Sequence, residues 1–266
     1  MTPAVSVLMS VHDGAPGVAA AVESVLAQTA GDLELIVIDD GSTDATAALL
    51  AGVRDPRLVV ERQPRAGLAV ALNRALARAR APLVARLDAD DVALPEGLER
   101  QRAFLVRAPD VGLLGTAAHE LDTSGRLVSI VQPPVDDAAL RHALIRANPF
   151  VHSSVMVRRA LLESAGGYDA TLPVAQDYDL WMRLARVTRL ANLADVLVVR
   201  HLGPRRVSVE REDDRLRAET RVRWRAVREG VYPPWCAVFA VRPALALAVP
   251  RPLRRVVRTA FGEARP

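Results

Sequence analysis

Carboxylates gather at three places in this 266-residue chain, and each gathering suits a definite chemistry. Asp88-Ala89-Asp90-Asp91 sets three acids within four residues. In an extended segment, alternation puts Asp88 and Asp90 on one side, where both can address one hard cation that a diphosphate bridges in turn. Like charges at that density are costly without a counter-ion, so the group points to a metal site over a casual loop. In Asp39-Asp40-Gly41-Ser42 the glycine eases a tight turn, and Asp39 can accept hydrogen bonds from a base or sugar edge. A plain helix-capping turn uses the same residue types. Gln176-Asp177-Tyr178-Asp179 opens an amphipathic stretch. One of its acids can cap the helix while the other serves as general base toward an acceptor hydroxyl, and spacing does not rank Asp177 over Asp179. Gly166-Gly167-Tyr168-Asp169 reads either as a pocket-shaping loop or as a helix terminus. Other chemistries lack their signatures, since GxxxxGKS, GxGxxG, GxSxG and HExxH motifs are all absent from the sequence.

The elements that must position these groups are clearest in the first half. Apolar runs at 4–11, 33–38, 57–61 and 82–87 predict strands. Helices are predicted over Gly17–Gln28, from Ser42-Thr43-Asp44 to Gly52, and over Leu68–Arg80. Strands alternating with helices argue an α/β fold, a mainly parallel sheet flanked by helices. Ligands in such sheets bind beyond the carboxyl ends of the strands, where the acids at 39–40 and 88–91 stand. Later segments are less regular. Helices are predicted at Pro95–Val106, Asp136–Arg146 and Arg159–Ser164, with strands at 111–118, 126–131, 151–157 and near 193–200. Between them, residues 177–187 put Leu180, Trp181, Leu184 and Val187 on one helical face.

Composition narrows the function classes. All 35 basic residues are arginine against 31 acids, a net charge of +4, so the pI near 10.1 overstates the field. With 18 prolines and no lysine, a GC-rich coding bias accounts for the arginines, and a nucleic-acid partner is not implied. One cysteine, Cys236, excludes a disulfide framework and a cysteine zinc cluster. Residues 1–199 carry a balance of −5 and residues 200–266 one of +9. Arg211–Arg228 predicts a charged, mostly solvated helix. Residues 235–249 are apolar apart from Arg242, are broken by Pro243, and lead into Arg251, Arg254, Arg255 and Arg258. That stretch is too short to span a bilayer; it suits either a helix packed on the domain or a peripheral membrane contact through residues 235–266. No basic segment leading into an apolar run opens the chain, so the expected location is the cytoplasm, at the inner face of the cell membrane if that contact exists.

Taken in order, these segments resemble the family 2 glycosyltransferases, inverting enzymes of the GT-A fold. VSVLMSVHDG resembles that family's first strand, and ESVLAQTAGDLELIVIDDGSTDAT, residues 23–46, its nucleotide-binding region. RQPRAGLAVALNRALARA is similar to its Asn-x-Gly…Ala-x-Asn stretch, ARLDADD to its metal-binding Asp-x-Asp region, and GGYD with QDYDLWMRL to its acceptor-side loop and base-bearing helix. The resemblance covers about residues 4–200. It implies transfer of a sugar from a nucleotide-diphosphate-sugar to a hydroxyl of a sugar, lipid-linked or small-molecule acceptor, in envelope polysaccharide or glycoconjugate synthesis, with Mg or Mn as cofactor. It also implies roles. Asp39 would recognise the nucleobase, with Val11 and Asp13 lining the base and ribose pocket and Gly67 and Asn73 completing the donor site. Asp88 would stand near ribose and metal, Asp90 on the metal, and Asp177 would be the base, preceded by Gln176 where the family has Glu. Gly167, Tyr168, Trp181 and Arg183 would support the pocket or meet the acceptor, and Asp91 and His201 are further candidates.

Departures limit the carry-over. The family's closing Arg-x-His…Ser segment is matched only loosely by Arg200, His201 and Ser208, which predicts a histidine beside the site rather than on the ion. The Gln-x-x-Arg-Trp signature of processive synthases is absent, which favours one sugar per encounter. Residues 1–205 are read as the GT-A unit and 206–266 as an arginine-rich helical extension. A nucleotidyltransferase, the rival enzyme, would need a Gly-rich basic loop where Val11-His12-Asp13-Gly14 stands. A non-catalytic nucleotide- or glycan-binding protein would not need intact acids at 88, 90 and 177.

Overall fold

The computed structural model describes residues 2–203 and 211–249. Strands β1 (Val5–Val11), β2 (Leu33–Asp40), β3 (Leu58–Gln63) and β4 (Leu83–Arg86) alternate with helices α1 (Val18–Leu26), α2 (Thr46–Gly52) and α3 (Leu68–Arg78). β1 and β2 are buried along almost their whole length, as parallel strands covered on both faces must be. β1 pairs in parallel with β2 and β4, and β2 with β3, so Val11 lies beside Asp39. Then follow β5 (Val92–Ala93), α4 (Gly97–Arg107), β6 (Val111–Leu121), β7 (Leu127–Val131), α5 (Asp137–Leu144), β8 (Met156–Arg158), α6 (Arg159–Ser164), α7 (Gln176–Leu184) and β9 (Arg189–His201). The strands form one sheet in the order β3-β2-β1-β4-β8-β6-β9-β5, with β7 added to β6. β6 and β9 are again parallel, whereas β8 is antiparallel to β4 and β6, and β5 to β9. The fold is α/β, a curled mixed sheet between helices, parallel through its N-terminal half.

Alternation along the strands divides the core into two layers. Leu8, Ile36, Ile38 and Val84 face α3, α5 and α7 on one side, while Val7, Met9, Leu35 and Val37 face α1 and α4 on the other. Both layers are closed, so the strand ends are rigidly held.

Several elements differ from their sequence-based expectation. The strand expected at 151–157 is a 3₁₀ turn at His152–Ser154 followed by the three residues of β8. The serines explain it, because a hydroxyl that bonds nearby backbone offers an alternative to the ladder. Ser154 Oγ donates to the Val151 carbonyl and accepts the Thr116 N–H. α2 starts at Thr46, not at 42–44, because Asp13 takes the N–H of Thr43 and Asp44 that of Thr46.

The C-terminal pair, α8 (Glu212–Arg228) and α9 (Val238–Ala248), departs further. α8 is not mostly solvated, since Leu216, Ala218, Val222, Arg223 and Ala226 are buried, and its apolar face shares the core layer of α7. α9 runs straight through Pro243. Proline removes the N–H that would bond the Phe239 carbonyl, and Arg223 Nη1 donates to that carbonyl instead, at 3.0 Å. Ser208, the arginines at 251–258 and the expected boundary at 205 lie outside the described residues.

Candidate active site

The carboxyl ends of β1, β2 and β4 converge on one rim. At the end of β2 the two neighbouring acids do different work. Asp40 is buried and accepts from Gln63 Nε2, Ala66 N and Gly67 N at 2.7–2.8 Å, so it anchors the loop into α3. Burial alone would raise its pKa, but those donors outweigh burial and hold the carboxyl below its ordinary range. Asp39 is equally buried, and its Oδ1 accepts the Ser42 N–H at 2.8 Å. Its Oδ2 has no hydrogen bond and only Arg62 Nε at 3.5 Å. A buried carboxylate oxygen left open at a strand end suits a donor N–H from a ligand. Gly41 makes the turn possible: its φ is +76°, and a Cβ there would lie 2.7 Å from the Arg65 nitrogen.

Val11 is buried at the end of β1, and Asp13 follows it with φ +51°. Asp13 Oδ1 accepts the Thr43 N–H at 2.7 Å, which keeps its pKa low and ties the β1 and β2 loops together. Gly67 and Asn73 join the rim to its neighbouring loops. Gly67 gives its N–H to Asp40, and Asn73 bonds both backbone polar atoms of Tyr168 at 2.8 Å. Asn73 therefore clamps the Gly166-Gly167 turn, where Gly167 (φ +69°) could not carry a Cβ without meeting Asn73 Oδ1 at 2.4 Å.

At the end of β4 the three acids are brought together, with ligand oxygens of Asp88, Asp90 and Asp91 within 4.8 Å of one another. Asp90 is exposed, Asp88 half-buried and Asp91 buried. Arg86, enclosed in the last turn of the strand, pairs with Asp88 and donates to Ser153 Oγ at 3.1 Å. Ser153 Oγ also bonds Asp88 Oδ2 at 2.9 Å and Asp91 Oδ2. Burial pulls Asp88 upward, yet Arg86 and the serine overcome it and hold the carboxyl far below the usual range. Asp91 is pushed up to about 7, first by burial and then by Asp88. Asp90 rises for the same two reasons. Crowded carboxylates that raise one another are the donor set a hard divalent cation relieves. His201 stands at the edge: its Nδ1 lies 2.8 Å from the Asp90 carbonyl, and its N–H meets Asp91 Oδ1 at 3.1 Å.

The remaining pair of acids stands on α7. Ala175 is its N-cap residue, in the left-handed region at φ +61° and with no side-chain cap, so neither acid caps the helix as expected. Both sit in its first turn, and burial separates their roles. Asp179 has no exposure and is committed to Arg183 Nε at 2.9 Å and to Arg225. Asp177 is half-buried, and Asn148 Nδ2 donates to its Oδ2 at 2.6 Å. Burial raises the Asp177 pKa above the ordinary carboxyl value, against the opposing pull of its own helix turn, Arg86 and Asn148. A raised, partly exposed carboxyl free of an ion pair with a neighbouring arginine is the better base of the two.

Trp181 and Arg183 are turned inward. Trp181 is wholly buried beneath Phe150 and His152, and Arg183 is turned onto Asp179 and the carbonyls of Ala165 and Gly167. Tyr168 is buried too, with its hydroxyl 3.0 Å from His152 Nε2. Burial and then Arg86 keep His152 well below its usual pKa, hence neutral. Four residues escaped sequence reasoning: Arg86, Asn148, His152 and Ser153. Arg86 had a signal, a lone charge inside the apolar strand PLVARL; the others act through pairings 16 to 67 residues away.

Comparison with known proteins identifies the family. AmsE of Erwinia amylovora, an amylovoran biosynthesis glycosyltransferase, is 32% identical over 205 residues, covering 75% of this chain and 76% of AmsE. WbnJ of Escherichia coli, an O-antigen biosynthesis glycosyltransferase, is 29% identical over 200 residues, 73% of this chain and 78% of WbnJ. The fold matches a mannosyltransferase from Pyrobaculum calidifontis solved with GDP-Man and Mn2+ (TM-score 0.66, 24% identity, 98% of this chain and 80% of that one). It also matches S. aureus TarS solved with UDP-GlcNAc (TM-score 0.66, 21% identity, 82% and 66%). The family model described as glycosyl transferase family 2 matches residues 6–164, a span that holds all three strand ends of the rim. By that match and the likeness to AmsE, the chain belongs to glycosyl transferase family 2.

Proposed function

We propose that the protein transfers a sugar from a nucleotide-diphosphate-sugar to an acceptor hydroxyl with inversion, in the synthesis of an envelope polysaccharide or glycoconjugate. The observation that carries this reading is the contrast across one rim. A crowded carboxylate group ends β4, and a separate carboxyl with raised pKa, Asp177, lies within electrostatic reach of Arg86, the partner of Asp88 in that group. The names of AmsE and WbnJ support the polysaccharide setting. The ligands solved with TarS and the mannosyltransferase support a nucleotide-sugar donor and a divalent ion. In this reading the described residues up to 203 serve as the catalytic unit, and α8 and α9 are fastened to it.

In this reading Asp39 Oδ2 accepts from the base, and Val11 and Asp13 shape the pocket for base and ribose. Asp90, with Asp88, would hold Mg or Mn, and the bound ion supplies positive charge beside the leaving diphosphate. Arg86 and Ser153 keep Asp88 ionised and oriented. Asn148 orients Asp177, which takes the proton of the acceptor hydroxyl as that oxygen attacks the anomeric carbon opposite the diphosphate. One displacement inverts the configuration and leaves no covalent enzyme intermediate. The test is a screen of UDP- and GDP-sugars with Mg or Mn, reading released nucleotide and, by mass, a transferred hexose. Metal-dependent turnover that EDTA abolishes is expected; donor synthesis from a nucleoside triphosphate and a sugar phosphate would overturn the reading.

A further inference from the structure

The C-terminal helix pair carries a surface that the catalytic reading does not use. Both tryptophans exposed among the described residues lie there, Trp224 on α8 and Trp235 before α9. α9 is apolar on both faces apart from the exposed Arg242. Ala240 and Pro243 are buried against the protein, Phe239 packs on the core, and yet Val238, Val241 and Leu245 face outward, Leu245 at 64% exposure. A helix that is apolar all round belongs inside something, so its outer face calls for a partner.

Charge identifies that partner. On α8, Arg217, Arg221, Trp224 and Arg228 recur at spacings of four, three and four, which is one helical stripe, and all four are exposed. Asp214 begins the same row and pairs with Arg217 at 3.3 Å, and Arg221, Trp224 and Arg228 continue the row without a further acid. The sequence after α9 adds Arg251, Arg254, Arg255 and Arg258, and residues 200–266 carry a balance of +9. That excess opposes a second copy of the same face. No helix among the described residues is long and apolar enough to cross a membrane. Arginines beside exposed tryptophans and aliphatic side chains match an anionic interface, in which the apolar groups enter the headgroup boundary and the cations meet phosphates.

We propose that α8 and α9 dock this protein on an anionic lipid bilayer through Arg221, Trp224, Arg228, Trp235, Val238, Val241 and Leu245. The docking face is fixed relative to the catalytic helix, because Arg223 Nε donates to the Tyr178 hydroxyl at 3.0 Å and Arg225 pairs with Asp179, the residues next to Asp177. Its purpose, presenting a lipid-borne hydroxyl to Asp177, rests on the transferase reading; the docking itself does not.

The test is sedimentation of the full chain with vesicles of phosphatidylcholine, alone or with about a third phosphatidylglycerol. Binding is expected to the anionic vesicles, to weaken at high salt, and to be at least about tenfold weaker on phosphatidylcholine alone. Val238→Ser with Leu245→Ser should weaken binding by about tenfold or more, and Arg221→Gln with Arg228→Gln by about tenfold or more. Thermal melting and donor binding in the same variants confirm that they are folded. No sedimentation with anionic vesicles, equal binding to neutral ones, or self-association that hides the tryptophans would overturn the proposal. Turnover measured without vesicles reports separately on the transferase reading.

Discussion

Replacing Arg225 by Met asks whether the arginine-rich extension is part of the catalytic unit or merely lies against it. Arg225 is on α8, and its guanidinium reaches Asp179 on α7, a side chain with no solvent exposure. The variant leaves one oxygen of a buried carboxylate without its charge partner, while Arg183 keeps the other at 2.9 Å. Removing one partner of a buried pair costs about 3–5 kcal/mol, and the surviving arginine puts this case near the lower end, about 3 kcal/mol. For a chain of this size that is a fall in Tm of about 6–12 °C. Urea unfolding followed by tryptophan fluorescence and circular dichroism gives the number. Asp179→Leu combined with Arg225→Met should lose less than the two single losses together, by about 1 kcal/mol or more, because neither charge is then stranded. Because the pair flanks Asp177, the single variant should also lower kcat. A loss below about 1 kcal/mol, or strict additivity, would refute the idea that α8 is bolted to the catalytic helix.

Three further outcomes follow from the site. Asn148→Leu removes the donor that favours ionised Asp177. The base must be deprotonated to act and its pKa is already raised by burial, so the acid limb of the kcat profile should move to higher pH; an unmoved limb contradicts the role. Asp39→Asn should weaken nucleoside diphosphate binding by about 10- to 100-fold in calorimetry, the worth of one hydrogen bond to a charged group, and unchanged affinity would remove Asp39 from the base pocket. Gly41→Ala strains a φ of +76° and drives a Cβ to 2.7 Å from backbone, so donor affinity and Tm should both fall, the strain alone costing about 1 kcal/mol or more.

The parallel, N-terminal half was legible because its signals are local. β1, β2 and β4 are apolar runs stopped by acids, and the parallel register then carries Val11 to Asp39 without further information. The antiparallel half was less legible. Residues 151–157 have the composition of a strand, but Ser153 and Ser154 are drawn to Asp88, Asp91 and Thr116 by contacts 38 to 65 residues distant. Spacing left Asp177 and Asp179 equivalent, and only the packing of α8, which buries Asp179 between two arginines, separates them. Pro243 looked like a helix break for the same reason: the donor that replaces its missing N–H is Arg223, on another helix.

The central claim is that Asp177 is the base of a sugar transfer. Its most direct test is kcat of Asp177→Asn at saturating nucleotide-sugar, with donor affinity measured on the same sample. The account predicts a fall of about a hundredfold to ten-thousandfold with donor affinity within a few-fold of the parent. Turnover within a few-fold of the parent would contradict it and return the base to another residue.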